Sequence, residues 1–300
     1  MERMLERGFN ETRGFLTHPA LRAPLSRGES RWRGFGVPLY EEGWREAPGC
    51  VARSLTMNPT LQALWRDKLD VVFPRSCVHC AGLVEGGRFR HLCVRCEKLL
   101  HIVVPPHCTT CGHPYFGEMA ENRLCPHCET LAPEFGEGKT AILLQGPGRS
   151  LVHALKYHQG QHVLEDITAI MREVPGYAGY LRGAVLVPVP LHPRKLRERR
   201  YNQSRLLADC CAQAADGQAE VRELLARVVD TESQTHYDRE TRRENLKNAF
   251  ALAKGATINP AQRYVLVDDV FTTGSTLNSC ATVLRRAGAL TLDVVTFGHG

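Results

Sequence analysis

The stretch VLVDDVFTTGST, Val265–Thr276, places two adjacent carboxylates at the end of an apolar run and follows them with a threonine-rich turn. The run YVLV, 264–267, is almost continuously apolar, as strands of a buried parallel sheet are. Burying Asp268 and Asp269 as unpaired charges would be costly, so we expect them where the strand ends. The segment LNSCATVLRRAG, 277–288, then repeats apolar residues at helical spacing and ends at a glycine. The stretch therefore predicts a strand, a turn at its carboxyl end and a helix.

The chemistry of this turn predicts a sugar-phosphate site. Ligands of open α/β sheets bind outside the carboxyl ends of the strands. A turn rich in Thr, Gly and Ser at a helix N-terminus exposes backbone N–H groups and hydroxyls that together bind a phosphate. Adjacent carboxylates do not bind phosphate themselves, but they suit the paired hydroxyls of a sugar or Mg²⁺ held through water. We therefore expect a ribose 5-phosphate site, with simple helix capping as the alternative.

Further apolar runs extend this pattern over the second half of the chain. TAILLQ (140–145), AVLVPV (184–189), YVLVDDV (264–270) and LDVVTF (292–297) alternate with helix-like segments around 149–158, 161–174, 203–215 and 275–287. Strands that alternate with helices indicate βαβ units. The predicted fold class is α/β, with a mainly parallel sheet flanked by helices over residues 133–300.

The first half of the chain has a different character. Residues 1–56 show no sustained apolar period, which predicts a disordered or irregular N-terminal extension. From Met57 onward, apolar residues fall on one helical face, and Met57 is an alternative start of the protein. Residues 57–132 are predicted to form this helix followed by a small Cys-rich domain.

Eight of the 12 cysteines form four C-x-x-C pairs, and the gaps between the pairs are slightly shorter than the commonest spacing in zinc ribbons. The predicted ligands are Cys77, Cys80, Cys93, Cys96, Cys108, Cys111, Cys125 and Cys128. Successive pairs would make two closed Cys₄ sites, and a crossed pairing is the alternative order. Closed sites of this kind are structural, because no coordination position is left for a substrate. A disulfide framework is the competing interpretation, and it fits poorly with a chain that lacks a secretory signal pattern.

Composition narrows the class of protein and of partner. The chain has 300 residues, 43% of them hydrophobic, and no apolar stretch near 18 residues, so we expect no membrane span and a cytoplasmic protein. The net charge is +6, with a local excess of arginine and lysine over 192–205. Such an excess indicates an anionic partner, phosphate or nucleic acid, unless it is only a solvated helix face.

Four blocks, together with the cysteine pairs, resemble the ComF/GntX family of phosphoribosyltransferase-like competence proteins. The blocks are LVHALKYHQGQH (151–162), VPVPLHPRKLRERRYNQS (187–204), QTHYDRETRRENLKNAF (234–250) and VLVDDVFTTGST (265–276). The resemblance covers about residues 57–298. It implies a type I phosphoribosyltransferase-like domain after a double zinc ribbon, binding of phosphoribosyl pyrophosphate with Mg²⁺, and a role in uptake of transforming DNA or use of DNA as a nutrient.

The resemblance also implies roles for individual residues. Asp268 and Asp269 would hold the ribose hydroxyls, and the 5-phosphate would be wrapped by Thr272, Thr273, Gly274, Ser275 and Thr276. Lys156 and the basic loop PRKLRERRYNQ would face the pyrophosphate, with Arg194, Arg199 and Asn202 as leading candidates. A mobile segment would close over the site and contribute Gln234, Arg242, Arg243 and Asn245, the two arginines acting in catalysis.

Two points stay open at the level of sequence. The family usually carries glycine between the arginine and the aromatic residue of R-G-[FY]-N, whereas this chain has Arg200 there, which would strain a turn that needs a positive φ. The second point is activity. A phosphoribosyltransferase with an unknown acceptor competes with a non-catalytic nucleic-acid-binding accessory protein that contacts single-stranded DNA and other DNA-uptake proteins.

Overall fold

A sheet of five parallel strands organises the described residues, which are 74–117, 121–157, 160–228 and 249–300 of the computed structural model. The strands in chain order are β1 (Gly138–Leu143), β2 (Val185–Pro188), β3 (Glu220–Val221), β4 (Leu225–Arg227), β5 (Phe250–Leu252), β6 (Arg263–Phe271) and β7 (Thr291–His299). The sheet order is β1-β7-β6-β2-β3, with every neighbouring pair parallel, while β4 and β5 pair separately and antiparallel.

Eight α-helices are assigned within the described residues. They are α1 (Val94–Glu97), α2 (Pro126–Leu131), α3 (Gly146–Tyr157), α4 (Leu164–Glu173), α5 (Tyr177–Leu181), α6 (Pro193–Arg199), α7 (Gln203–Ala214) and α8 (Ser275–Arg286), and a 3₁₀ turn, Gly160–Val163, precedes α4. In the described ranges, no helix combines the length and the apolar character that a bilayer crossing requires.

Both faces of the sheet are buried, which explains the continuous apolar runs of its central strands. Along β6, Val265 and Val267 pack into one core with α3, α4, α5 and α7. Tyr264 and Leu266 point to the opposite core, which α8, the β4–β5 pair and the second half of the Cys-rich region cover. The predicted fold class, a mainly parallel sheet with flanking helices after a Cys-rich region, is confirmed.

The four predicted helices lie close to α3, α4, α7 and α8. The basic segment, which we expected to be a loop, instead forms the seven-residue helix α6. Pro193 occupies its first turn, and the His192 ring accepts a hydrogen bond from the backbone N–H of Arg194 at 3.3 Å. A proline at the first helical position is preorganised for a helix start, which explains why this basic segment forms a helix and not a loop.

The Cys-rich region packs directly on the sheet and its helices. Val103 N–H donates to the Ala141 carbonyl of β1 at 2.9 Å, and the Asp166 carboxylate of α4 accepts from the backbone N–H groups of Arg90 and His91, each at 2.7 Å. The predicted boundary at 132/133 stays a prediction. The N-terminal extension 1–56 and the helix predicted from Met57 lie outside the described residues.

Candidate functional site

The two acidic residues lie near the carboxyl end of β6, partly buried and oriented by different partners; the strand continues to Phe271, two residues beyond the point at which the sequence predicted its end. Asp268 Oδ1 accepts hydrogen bonds from Ser204 Oγ at 3.0 Å and from the backbone N–H of Asp269 at 2.9 Å. Asp269 Oδ2 lies 2.8 Å from Lys156 Nζ, and both side chains remain partly exposed, at 16% and 26%. The ends of three elements, β6, α3 and α7, therefore meet at this edge of the sheet.

The environment of Asp268 disfavours its charge. Burial, and then the neighbouring Asp269 carboxylate, raise the pKa of Asp268 to about 7, although the hydrogen bonds from Asp269 N–H and Ser204 and the positive charge of Lys156 act in the other direction. At neutral pH this side chain is therefore present both as the ionised carboxylate, which only accepts hydrogen bonds, and as the protonated acid, which can also donate one. Strongly shifted carboxyl groups at the carboxyl edge of a parallel sheet are typical of functional sites.

The turn after β6 has a left-handed backbone at Gly274. Gly274 has φ +72° and precedes α8, whose first residue, Ser275, directs its N–H to Thr273 Oγ1 at 3.4 Å. The Thr273 and Ser275 hydroxyls also bond each other at 3.0 Å. A Cβ at Gly274 would lie 2.7 Å from the Phe271 ring and 2.8 Å from the Leu131 side chain, so the turn is both left-handed and tightly enclosed.

The Cys-rich region supports this turn directly. His127 Nε2, on α2, lies 3.2 Å from the Thr273 carbonyl oxygen, a contact that requires the tautomer with a proton on Nε2. The backbone N–H of Glu134 donates to Asn278 Oδ1 at 2.8 Å, one turn into α8. The predicted phosphate turn is thus held between β6 and α2, a contact that no sequence motif indicates.

A basic wall stands beside the carboxylates. A cavity of about 550 Å³ is lined by four cations and one acid, together with two tyrosines: Lys156, Lys195, Arg199, Arg200, Glu198, Tyr157 and Tyr201. The Arg199 guanidinium lies over the Tyr157 ring, 5.4 Å from its centroid. This wall gives the carboxylate edge a cationic surface on which a polyanion can bind.

The other predicted residues are placed differently. Arg194 lies on the exposed face of α6, with Nε 3.4 Å from Glu198 Oε1. Asn202 is the N-cap of α7: its Oδ1 accepts from Ser204 N–H at 3.1 Å and its Nδ2 donates to the Val189 carbonyl at 3.0 Å. Its side chain is therefore committed to holding α7 at this edge. Gln234, Arg242, Arg243 and Asn245 lie outside the described residues.

Ser204 was missed at the level of sequence. Its hydroxyl contacts Asp268, and its backbone N–H is the group that Asn202 caps. The N-cap pattern Asn202-x-Ser204 was the available signal, because a capped helix start fixes the direction of the next two side chains. What the pattern does not carry is the contact with β6, which depends on the tertiary fold.

Arg200 occupies the position at which the family usually has glycine, and its φ is +67°. A left-handed conformation costs a non-glycine residue about 1–2 kcal/mol, against about 0.5–1 kcal/mol for the extra chain entropy of glycine. We expect Arg200→Gly to raise the free energy of unfolding by about 0.5–1 kcal/mol, measured by urea denaturation at an unchanged m-value. Arg200→Ala is the control, because it removes the same charge but retains Cβ; equal gains in both variants would contradict the backbone explanation.

The eight predicted cysteine ligands form two groups of four in successive order. The first cysteine site is Cys77, Cys80, Cys93 and Cys96, and the second is Cys108, Cys111, Cys125 and Cys128; within each site all four sulfur atoms lie within 4.8 Å of one another. Sulfurs at the corners of a tetrahedron with bonds of about 2.3 Å would be about 3.8 Å apart. The Cys80–Cys93 and Cys111–Cys125 Sγ distances are 3.7 and 3.9 Å. The geometry fits two structural zinc sites and not the crossed order or a disulfide framework.

Comparison with known proteins supports both the two cysteine sites and the resemblance to the ComF family. Residues 68–129 match the family model described as "Double zinc ribbon domain". The chain is 33% identical over 194 residues to the DNA utilization protein YhgH of Salmonella typhimurium, covering 62% of this chain and 81% of that protein. The chain belongs to the ComF family. Competence protein F of Haemophilus influenzae is 29% identical over 225 residues, covering 73% of this chain and 94% of that protein.

Solved structures similar to this ComF-family chain include a hypoxanthine phosphoribosyltransferase from Staphylococcus aureus, at 16% identity and a TM-score of 0.29. The match covers 44% of this chain and 62% of that one. A second is the glutamine phosphoribosylpyrophosphate amidotransferase from B. subtilis, at 18% identity and a TM-score of 0.32, covering 49% of this chain and 30% of that one.

Proposed function

We propose that this protein binds phosphoribosyl pyrophosphate with Mg²⁺ at the carboxyl end of β6 and transfers the phosphoribosyl group to an acceptor during DNA uptake or DNA utilisation. The observation that carries the proposal is the arrangement at one sheet edge of the Asp268–Asp269 pair, the Gly274 turn and Lys156. In this proposal the pair holds the ribose hydroxyls, and the amides and hydroxyls of Thr272–Thr276 bind the 5-phosphate. The DNA role is supported by the relatives named Competence protein F and DNA utilization protein.

The charges at the site suit a polyanion only if cations offset the two acids. Lys156 already lies against Asp269, and Arg199, Lys195 and Arg200 line the adjacent cavity. The carboxylate oxygens of Asp268 and Asp269 are hard donors of the type Mg²⁺ prefers, so the site has ligands for the ion directly or through water. Mg²⁺ bound there with the pyrophosphate would offset negative charge that forms on the leaving group.

The proposed reaction is a displacement at ribose C1. The bond from C1 to the pyrophosphate oxygen breaks and its electron pair leaves with pyrophosphate, while an electron pair of the acceptor forms the new bond to C1. Lys156 and Arg199 would stabilise the negative charge on the departing oxygen. Asp268 and Asp269 would orient the ribose, so that much of the acceleration comes from positioning.

A direct test is calorimetry with phosphoribosyl pyrophosphate and Mg²⁺ on the wild type and on Asp268→Asn/Asp269→Asn. Loss of two charge-assisted contacts is expected to weaken binding by about 100-fold. Glu220→Gln is a matched control, since Glu220 is an exposed acid paired with Arg222 on β3's side of the sheet. Equal affinity in the wild type and the double variant would remove the assignment of the site.

A second candidate function, binding of single-stranded DNA without catalysis, is favoured by one specific feature. Tyr157 is 61% exposed, and the Arg199 guanidinium lies over its ring beside the basic helix α6. An exposed aromatic ring among cations is a stacking platform for unpaired bases. For this function, affinity for an oligonucleotide would fall steeply with salt and would not need Mg²⁺.

A further inference from the structure

The end of helix α3 carries the cation that meets the carboxylate pair. The helix ends at Tyr157, one residue after Lys156, whose Nζ lies 2.8 Å from Asp269 Oδ2. The last four carbonyl groups of an α-helix have no partner within the helix, so its last turn frays unless other groups hold it. Leu155 and Lys156 both belong to that turn of α3. The position of the ammonium group therefore depends on what holds the end of the helix.

A hydrogen bond from a distant part of the chain holds this end. The hydroxyl of Tyr201, in the connection between α6 and α7, donates to the Leu155 carbonyl oxygen at 2.5 Å. The Leu155 side chain is fully buried in the core, and Tyr201 is partly buried and lines the same cavity as Lys156. The Arg199 guanidinium over the Tyr157 ring is a second contact between α6 and the end of α3. The two segments are therefore fixed to each other.

The connection between α6 and α7 also leads to the other carboxylate. Ser204, in the first turn of α7, donates its hydroxyl to Asp268 Oδ1 at 3.0 Å. Tyr201, three residues earlier, reaches Asp269 through the end of α3 and Lys156. Residues 201–204 therefore act on both acids, on one by direct contact and on the other through the lysine.

The ion pair between Lys156 and Asp269 is too weak to hold the lysine by itself. Both side chains are partly exposed, and such pairs contribute little because water screens them and both side chains lose rotamer freedom. The lysine stem is flexible, so a shift of its backbone moves the ammonium group. Loss of the Tyr201 hydroxyl would remove a partner of the carbonyl group next to this lysine and loosen the last turn of α3.

We infer that Tyr201 is a positioning residue, whose hydroxyl holds the end of α3 so that the Lys156 ammonium group stays at the carboxylate pair, where it meets the negative charge of a bound ligand. The inference rests on the proposed function for the identity of that ligand, phosphoribosyl pyrophosphate. The placement of Lys156 by Tyr201 can be measured without any ligand. Phenylalanine would fill the same space as Tyr201 but would not hold the helix end.

The first measurement is the reactivity of Lys156 in the free protein. Acetic anhydride at trace concentration acetylates each lysine according to its exposure and its fraction of free amine, and mass spectrometry gives the rate for Lys156 relative to the exposed Lys254. In Tyr201→Phe we expect this ratio to rise about 3-fold, because the ammonium group leaves Asp269 for water.

The second measurement is affinity for phosphoribosyl pyrophosphate with Mg²⁺, by calorimetry. We expect Tyr201→Phe to bind about 3- to 10-fold more weakly than the wild type. In a double-mutant cycle the same substitution is made in a Lys156→Met chain, where it should change the affinity by less than about 1.5-fold, because the group that Tyr201 positions is absent. A merely structural role of Tyr201 would lower the affinity equally in both backgrounds.

Tyr264→Phe is the matched control for both measurements. The Tyr264 hydroxyl donates to the Asn259 carbonyl at 3.2 Å, and the residue lies at the start of β6, away from the carboxylate pair. This variant should keep the wild-type affinity and the wild-type reactivity of Lys156. Circular dichroism checks that every variant folds.

The outcomes separate this inference from the proposed function. A higher reactivity of Lys156, with a loss of affinity only where Lys156 is present, supports the positioning role. In a protein that binds the ligand, the inference is overturned by unchanged reactivity, by unchanged affinity, by an equal loss in both backgrounds, or by the same changes in Tyr264→Phe. If the reactivity rises in Tyr201→Phe but the wild type does not bind phosphoribosyl pyrophosphate, the placement of Lys156 stands and the proposed function fails.

Discussion

Replacing Cys128 by serine is expected to weaken binding at the proposed phosphate turn, whereas Cys80→Ser leaves that turn intact. Each variant loses one of four ligands, so metal analysis should give about one zinc per chain instead of the two expected from the two sites. The consequences differ because α2, which carries Cys128, contacts the turn through His127 and Leu131, and no such contact with the first cysteine site is found among the described residues. We expect affinity for phosphoribosyl pyrophosphate to fall by more than about 10-fold in Cys128→Ser, and by less than about 2-fold in Cys80→Ser.

The physical reason is that the metal ligand Cys128 lies on the same short helix as the two residues that contact the turn. Cys128 is fully buried and lies one residue from His127, whose Nε2 meets the Thr273 carbonyl. Leu131, at the end of the same helix, closes against Gly274. Zinc binding in such modules supplies most of the folding free energy, so loss of the second site releases both contacts. The turn then loses both of its contacts with α2.

The two variants also control for each other. Cys80 is exposed, and the first cysteine site contacts α3 at its start, where His79 Nδ1 lies 3.0 Å from Ser150 Oγ. Lys156 stands at the opposite end of that helix. Near-UV circular dichroism and the zinc content establish that each chain keeps its α/β core and its other metal. Retained affinity in Cys128→Ser with one zinc lost would contradict the supporting role of α2.

The strand, turn and helix around Asp268 could be predicted because each has a recognisable sequence pattern. β6 is buried on both faces, which yields an uninterrupted apolar run, and Gly274 and the helical spacing after it define the turn and α8. The cysteine sites were predictable for a similar reason. Each C-x-x-C pair is a local knuckle with fixed spacing, so the eight ligands could be named from the sequence, whereas the choice between successive and crossed order came from the structure.

Contacts between distant segments were not predictable in the same way. Lys156 was expected to face a pyrophosphate, but no sequence pattern indicates that it pairs with Asp269. The Asn202 side chain reads as a polar residue in a basic segment, whereas the structure uses it as a cap that fixes Ser204 against Asp268. The contact of His127 with Thr273 arises where the Cys-rich region meets the sheet. Hydrophobic periodicity indicates which residues of one helix or strand share a face, whereas these contacts lie between elements.

Asp268→Asn is expected to stabilise the protein by about 2 kcal/mol at pH 8 and by well under half as much at pH 5. Asparagine keeps an oxygen that can accept the hydrogen bonds from Ser204 Oγ and Asp269 N–H, and it removes the charge that burial and the Asp269 carboxylate disfavour. The magnitude is set below the full value of the pKa shift because the site is only partly buried. The measurement is urea unfolding of both chains across this pH range.

The sign follows from the direction of the shift. The folded pKa of Asp268, about 7, lies above its unfolded value, so the folded chain binds the extra proton between about pH 4 and pH 7. The wild type therefore loses stability as pH rises through that window, and the penalty is complete above pH 7. The variant has no such group and no such slope. Titrations of groups that do not interact with Asp268, including those of the cysteine sites, are shared by both chains and cancel in their difference.

Asp269→Asn is the matched control, and it should gain less at pH 8. Its carboxylate pairs with Lys156 at 2.8 Å, so the loss of this ion pair offsets the relief of its repulsion with Asp268. A stability difference for Asp268→Asn that is the same at pH 5 and pH 8, or that is negative at pH 8, would contradict burial of the Asp268 charge as its cause. If the gain appears and ligand binding falls in the same variant, the wild type retains a destabilising charge at this edge because binding requires it, which is the trade-off expected of a functional site.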